Sequence, residues 1–376
     1  MKKNWFLGSV LAVLATSLMF VACKKDDDDN NTPSDNFDRK AMLTNYADNY
    51  IVPAYADMVV KLNDLQAKST QFTSAPTEQS LGDVRTAFRS AYTTWQKVDM
   101  LEFGPGEDVS LRMYVNTYPV TVSKVNANIS SGNYDLEQFA HKDAQGFAAV
   151  DYLLNGIATG NTAIVEQYTT DAQAANRKKY LQDVIAKMVS KVQTVSTNWG
   201  TYKTTFINST GVDASSSTSK MVNAFVLYFE RYLRAGKIGL PVGAMTGVAK
   251  PELTEAFYSP DLQKELAVAS LTSVLNFYEG KSYNNGAAGI GMKTYLAAIG
   301  TKDDNGKLMA DLISEELQQA LTTMQGVNGS IAENVTNNRT AMLQLYDELQ
   351  QVVPLLKVDM VSAFGISITY VDNDGD

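Results

Sequence analysis

The chemistry this chain can do rests on its carboxylates. In the stretch GFAAVDYLL, Gly146 to Leu154, helical spacing puts Phe147, Asp151 and Leu154 on one face, so an acid sits inside an apolar stripe. Glu102, Glu107, Asp108 and Glu230 also fall near helix breaks or within apolar faces. Two or three such groups around one point would suit a hard cation, or iron held by oxygen ligands. The competing role is structural, a salt bridge or a helix N-cap. For Asp151 both roles stand, with Arg231 and Arg234 as candidate ion-pair partners, because burying the acid alone would cost several kcal/mol. For the other four the structural role is the expectation.

Other chemistries are poorly supplied. The chain has one histidine, His141 in AHKDAQG, so the two imidazoles of a His-Glu-x-x-His zinc peptidase cannot be assembled. No Gly-x-Ser-x-Gly accompanies His141, which is expected on a solvated helix surface. Cys23 is the single cysteine, which rules out an intrachain disulfide, and its place beside the tether excludes cysteine catalysis. The terminal DNDGD begins like a calcium loop with Asp372, Asn373, Asp374 and Gly375. It lacks the Glu such a loop needs at its twelfth position and is expected to be a frayed polar end. NNGAAGIG (284–291) lacks the lysine of a phosphate cradle and follows a helix, so a flexible loop is expected.

The elements that position these residues are helical almost throughout. Met42, Tyr46, Tyr50, Ala54, Met58, Leu62 and Leu65 step by three and four, as do Val84, Phe88, Ala91, Trp95 and Val98. Pro53 should kink the first of these helices. Further helices are expected over residues 120–129, 136–154, 180–199, 221–238, 262–278, 308–324 and 342–356. Only Ile366 to Tyr370, ISITY, alternates like a short strand. FGPGED (103–108), GLPVGAMTG (239–247) and NNGAAGIGM (284–292) punctuate the pattern, and NSTGVDASSSTSK (208–220) is the candidate linker. The first two breaks end comparable helices in the two halves, which hints at related bundles.

A chain of 376 residues, 45% hydrophobic and 19% charged, is expected to fold as two packed units. The net charge of -9, with no basic cluster, argues against a nucleic-acid partner. At the N-terminus Lys2 and Lys3 precede an apolar run that ends in FVAC. Residues 1–22 read as an export signal and Cys23 as a lipobox cysteine, with Phe20 in place of the commoner Leu. The tract KKDDDDNNTPSDN then reads as a tether, giving 23–36 as lipidated cysteine plus linker. Lysine followed by acids after such a cysteine resembles the surface-export signal of Bacteroidetes lipoproteins. The expected site is the outer membrane, lipid-anchored and facing the cell surface; the alternative is a periplasm-facing anchor. The apolar run is borderline in length for a spanning helix.

From Phe37 on, the chain resembles the imelysin-like family, also called peptidase family M75. The resembling pieces are YIVPAYADMVVKLNDL, AYTTWQKVDMLEFGP, GFAAVDYLL, YFERYLRAGKIGLPVG, PELTEAFYS, and the glycine loop followed by MKTYLAAIG. The resemblance implies an all-α fold of two related helical bundles with a site in the cleft between them, here 37–210 and 211–376. It also implies association with iron or haem uptake, with iron, another divalent metal or haem as ligand and an iron or haem transporter as partner. Family members carry a Gly-x-His-x-x-Glu motif as the proposed metal site. Here Gly146 matches the glycine, Ala148 stands in the histidine position and Asp151 in the glutamate position. Losing the imidazole removes a nitrogen ligand and the best base near neutral pH. The expectation is therefore a pocket of Gly146, Ala148, Asp151, Glu102, Glu230 and Arg231, with Asp151 as any metal's ligand, that binds without catalysing. The alternative is a metal-dependent M75 peptidase.

Overall fold

Asp38 accepts a hydrogen bond from the Ala41 amide at 2.9 Å and starts the first helix, Arg39–Asn45. The computed structural model describes residues 36–371; the expected export signal, Cys23, most of the expected tether and the DNDGD terminus lie outside the described residues. The first helix widens by one residue per turn over Tyr46–Ile51 and continues as Val52–Ser74. Pro53 follows that widened turn directly, and the helix runs on past it. A shift of hydrogen-bond register is one way a helix absorbs a proline's missing donor. Thr77 and Ser80 cap the next helix, Glu78–Trp95, reciprocally. Its buried face, including Val84, Phe88, Ala91 and Trp95, is the one the spacing predicts.

The Val52–Ser74 helix packs against both Glu78–Trp95 and the long Ala174–Asn208 helix, which form the frame of the first half. The second half is built from Ser217–Leu227, which runs into a widened helix Tyr228–Gly239, and from Pro260–Tyr278, Met309–Gly326 and Arg339–Pro354. Most expected helices are present with ends shifted by a few residues.

Two expectations differ. The helix expected over 136–154 is divided into Phe139–Ala144, Gly146–Asp151 and the widened Tyr152–Gly156. The divider is Gly146, at φ +71°, where a side chain would run into the Val115 carbonyl. Periodicity reads through such a residue because the apolar spacing on either side is undisturbed. The second difference is Ile366–Tyr370, which joins no sheet; among the described residues no strand forms. Its backbone is satisfied by one side chain instead: Asn223 donates to the Ser367 carbonyl at 3.1 Å and accepts from the Thr369 amide at 2.8 Å.

The expected linker is a short loop between the helices that end at Asn208 and begin at Ser217. The Ser217 amide bonds the Ser209 carbonyl at 3.1 Å, and Arg39 reaches the Thr210 carbonyl at 2.7 Å. One buried apolar core runs from Met42 to Ile366 through both halves, and the described residues form one compact unit. The NNGAAGIGM loop is pinned: Asn45 donates to the carbonyls of Gly280 at 2.8 Å and Ile290 at 2.9 Å. No helix among the described residues is long and apolar enough to cross a membrane.

Candidate functional site

Every residue of the Gly146–Asp151 helix is buried. Phe147 stacks on Tyr92 at 4.3 Å between ring centroids, which fixes the helix against the Glu78–Trp95 helix and turns Asp151 inward. Asp151 is 1% exposed, and its carboxylate is met by the segment PELTEAFYS (251–259). The Tyr258 amide donates to Oδ2 at 2.8 Å, the Ser259 hydroxyl to Oδ1 at 2.5 Å and the Asn155 amide group to Oδ1 at 3.2 Å. Burial raises the Asp151 carboxyl to about 6, against the lowering effect of these three donors. The segment can turn toward Asp151 because Ala256 adopts φ +55° and because Gly156 has no side chain to meet the Tyr258 ring.

A second carboxylate fastens the same segment. Glu255, 3% exposed, pairs with the Lys237 ammonium and accepts from Asn116 at 2.7 Å and Gln96 at 3.2 Å. Lys237 also donates to Gln96 at 2.7 Å, and Tyr92 donates to Asn116 at 2.9 Å, so the buried charges and their neighbours form one satisfied network. Beside it, Arg112 is held between Asp99 (2.5 Å) and Glu102 (2.7 Å) with its guanidinium 3.8 Å from the centre of the Tyr232 ring. Burial raises both the Asp99 and the Glu102 carboxyls, and Arg112 opposes the rise in each.

Between the Asp151 helix and the 251–259 segment lies a cavity of about 210 Å³. Ala148 and Asp151 form one wall, Glu252, Thr254 and Tyr258 another, and Tyr118 a third. Thr254 is 2% exposed and its hydroxyl is buried without a hydrogen-bond partner.

The structure sorts the expected residues into separate places. Gly146, Ala148 and Asp151 stay together. Glu102 and Arg231 line a neighbouring cavity of about 570 Å³ that shares only Tyr118 with the first, and Glu107 lies at that second cavity. Glu230 faces elsewhere, accepting from Lys357 and Tyr370, each at 2.9 Å. Neither Glu102 nor Glu230 therefore joins Asp151, and among the described residues no three His, Cys, Asp or Glu side chains converge on a point. The expected arginine partners also turn away: Arg231 donates to the Val371 carbonyl at 2.6 Å and Arg234 to Tyr346 at 2.7 Å. Asp151 is compensated by neutral donors. His141 is half-buried, with Nδ1 3.1 Å from the Asn128 amide nitrogen, so it is less solvated than expected. Asp108 is exposed.

Glu255, Lys237 and Thr254 escaped the reading of the sequence. A signal existed for Lys237: Glu230, Arg234 and Lys237 recur at i, i+4 and i+7, and all three are buried. Glu255 sits in a non-helical segment, where no period marks the inward face.

Residues 51–355 match the family profile described as imelysin, peptidase M75. An iron-regulated protein A of Synechococcus elongatus is 21% identical over 348 residues, covering 85% of this chain and 88% of that protein. The solved imelysin-like protein from Psychrobacter arcticum shares the fold with a TM-score of 0.65 at 19% identity, covering 88% of this chain and 97% of its own. A Parabacteroides distasonis structure, provisionally named an iron-regulated protein A precursor, gives 0.68 at 16%, covering 89% and 97%. With the matched region spanning most of the helical body, and Gly146, Ala148 and Asp151 on one buried helix of which Ala148 and Asp151 line the cavity, this chain belongs to the imelysin family.

Proposed function

We propose that the protein is a non-catalytic binding protein with an iron-related role, and that its ligand occupies the cavity between the Asp151 helix and the 251–259 segment. The observation that carries the reading is a cavity whose acid is already held by three protein donors. Such a cavity offers a ligand walls, without a free base aimed at a reacting atom. The iron-related part rests on the name of the Synechococcus relative alone. Expression that rises on iron depletion is its test; a constant level would count against it.

A resident metal does not suit these residues. The cavity presents Asp151 and the exposed Glu252, with no imidazole or thiolate beside them. Haem is equally ill-served, since the volume of this space is below the roughly 300 to 1,000 Å³ usual for larger organic ligands. The second reading, an M75 peptidase, draws on the family description and on the raised Asp151 carboxyl, which lies in the range of a working base. Incubation with unfolded casein decides between them. The binding reading expects no cleavage with or without chelator; chelator-sensitive cleavage lost in Asp151→Asn would sink it.

For location, we propose a lipoprotein anchored in the outer membrane through Cys23, facing the cell surface, with an iron or haem transporter as partner. The support is the FVAC sequence and the acidic tract after it. Palmitate labelling that disappears in Cys23→Ser is the expected result, and labelling that persists would contradict it.

A further inference from the structure

The neighbouring cavity of about 570 Å³ lies within the roughly 300 to 1,000 Å³ usual for organic ligands. Residues of the 102–118 stretch form one wall, the Tyr228–Gly239 helix and Leu240 another, and Phe139 and Lys142 a third. Phe139 and Leu240 leave large apolar side chains 66% and 44% exposed, surface whose burial by an occupant would be favourable. The charges in the lining are unevenly matched. Glu102 and Arg112 pair with each other at 2.7 Å, and Asp99, the other acid on Arg112, is 4% exposed and lies outside the lining. Glu107 is exposed. Lys142 and Arg231 pair with no carboxylate among the described residues. The Lys142 ammonium lies 4.0 Å from the centre of the Phe139 ring, and Arg231 donates to the Val371 carbonyl at 2.6 Å. In a chain of net charge -9, two cations without acids thus line one cavity. Ser110, in the first wall, is held at φ +50°, a conformation costly for a non-glycine residue and concentrated at functional sites.

We infer that this second cavity binds an amphipathic organic anion, a compound with a ring-sized apolar body and a carboxylate or sulfonate head. Lysine and arginine each form charge-assisted hydrogen bonds to such a head. Phe139, Met113, Leu227 and Leu240 provide the surface that covers the body. A small inorganic anion would leave that apolar surface in water. An organic cation would meet Lys142 and Arg231 with only the exposed Glu107 to offset them. The site is separate from the Asp151 cavity, with which it shares Tyr118 alone.

The test is fluorescence titration of the folded chain with 8-anilinonaphthalene-1-sulfonate and with N-phenyl-1-naphthylamine, which has the same rings without the charge. The expected result is one saturable site for the sulfonate, with the neutral compound at least about tenfold weaker. Lys142→Met and Arg231→Met should each weaken the sulfonate several-fold and leave the neutral compound unchanged. Leu240→Ser, at an exposed position, should weaken both. Equal affinity for the two compounds would overturn the inference, as would sulfonate binding that survives intact when both cations are replaced. The same holds for no saturable sulfonate binding at millimolar concentration by a protein whose circular dichroism is native. Each of these failures leaves the reading of the Asp151 cavity standing, because neither cation lines it.

Discussion

At the residue scale, Gly146 and Asp151 carry the account, and each makes a prediction. Gly146→Ala places a side chain at φ +71° against the Val115 carbonyl, so it should cost at least about 2 kcal/mol in urea denaturation. A loss of a few tenths would mean the backbone there relaxes freely. For Asp151, the folded carboxyl lies near 6 against an ordinary 3.8, chiefly from burial. A raised acid favours the fold below about 3.8 and loses that contribution as pH rises through about 6. Wild-type stability relative to Asp151→Asn should therefore fall by about 2 kcal/mol between pH 4 and pH 7, read from paired denaturation curves. A difference that is flat, or rises with pH, would show the three donors outweigh burial. The presence of an acid on a buried face was legible from the spacing of Phe147, Asp151 and Leu154. Its partners were not, because they come from Tyr258 and Ser259, over a hundred positions away in a segment without periodicity.

At the element scale, the 251–259 segment is the wall of the site, and buried carboxylates clamp it at its middle and its far end: Glu255 to the Lys237 network and Asp151 to Tyr258 and Ser259. Glu255→Gln would leave the Lys237 ammonium buried without a counter-charge and should cost about 3 to 5 kcal/mol. Lys237→Met combined with Glu255→Gln should recover much of that loss in the same thermal or urea measurement. If the double variant is no better than the single one, the pair is not what holds the segment. Helices such as Glu78–Trp95 were readable in the sequence because their buried faces repeat every three or four residues and their caps are local. Periodicity could not report the break at Gly146 or the fate of Ile366–Tyr370, where one buried asparagine replaces a partner strand.

At the scale of the whole molecule, the all-α class follows from apolar spacing over nearly every segment, and the family assignment agrees with it. The relation between the halves is a matter of contacts that no linear pattern encodes. The Lys237–Glu255–Gln96–Asn116 network joins residues from both halves, and one apolar core runs through them. Unfolding in urea should accordingly be a single transition by circular dichroism and by tryptophan fluorescence; two separated midpoints would indicate halves that melt independently. The central claim is that Asp151 latches the wall of a binding cavity and does not hold a metal. Its most direct test is metal content by mass spectrometry on the chain from Lys24 onward, equilibrated with iron and other divalent metals, for wild type and Asp151→Asn. No stoichiometric metal is expected in either protein; stoichiometric metal in the wild type that is lost in Asp151→Asn would contradict that role for Asp151.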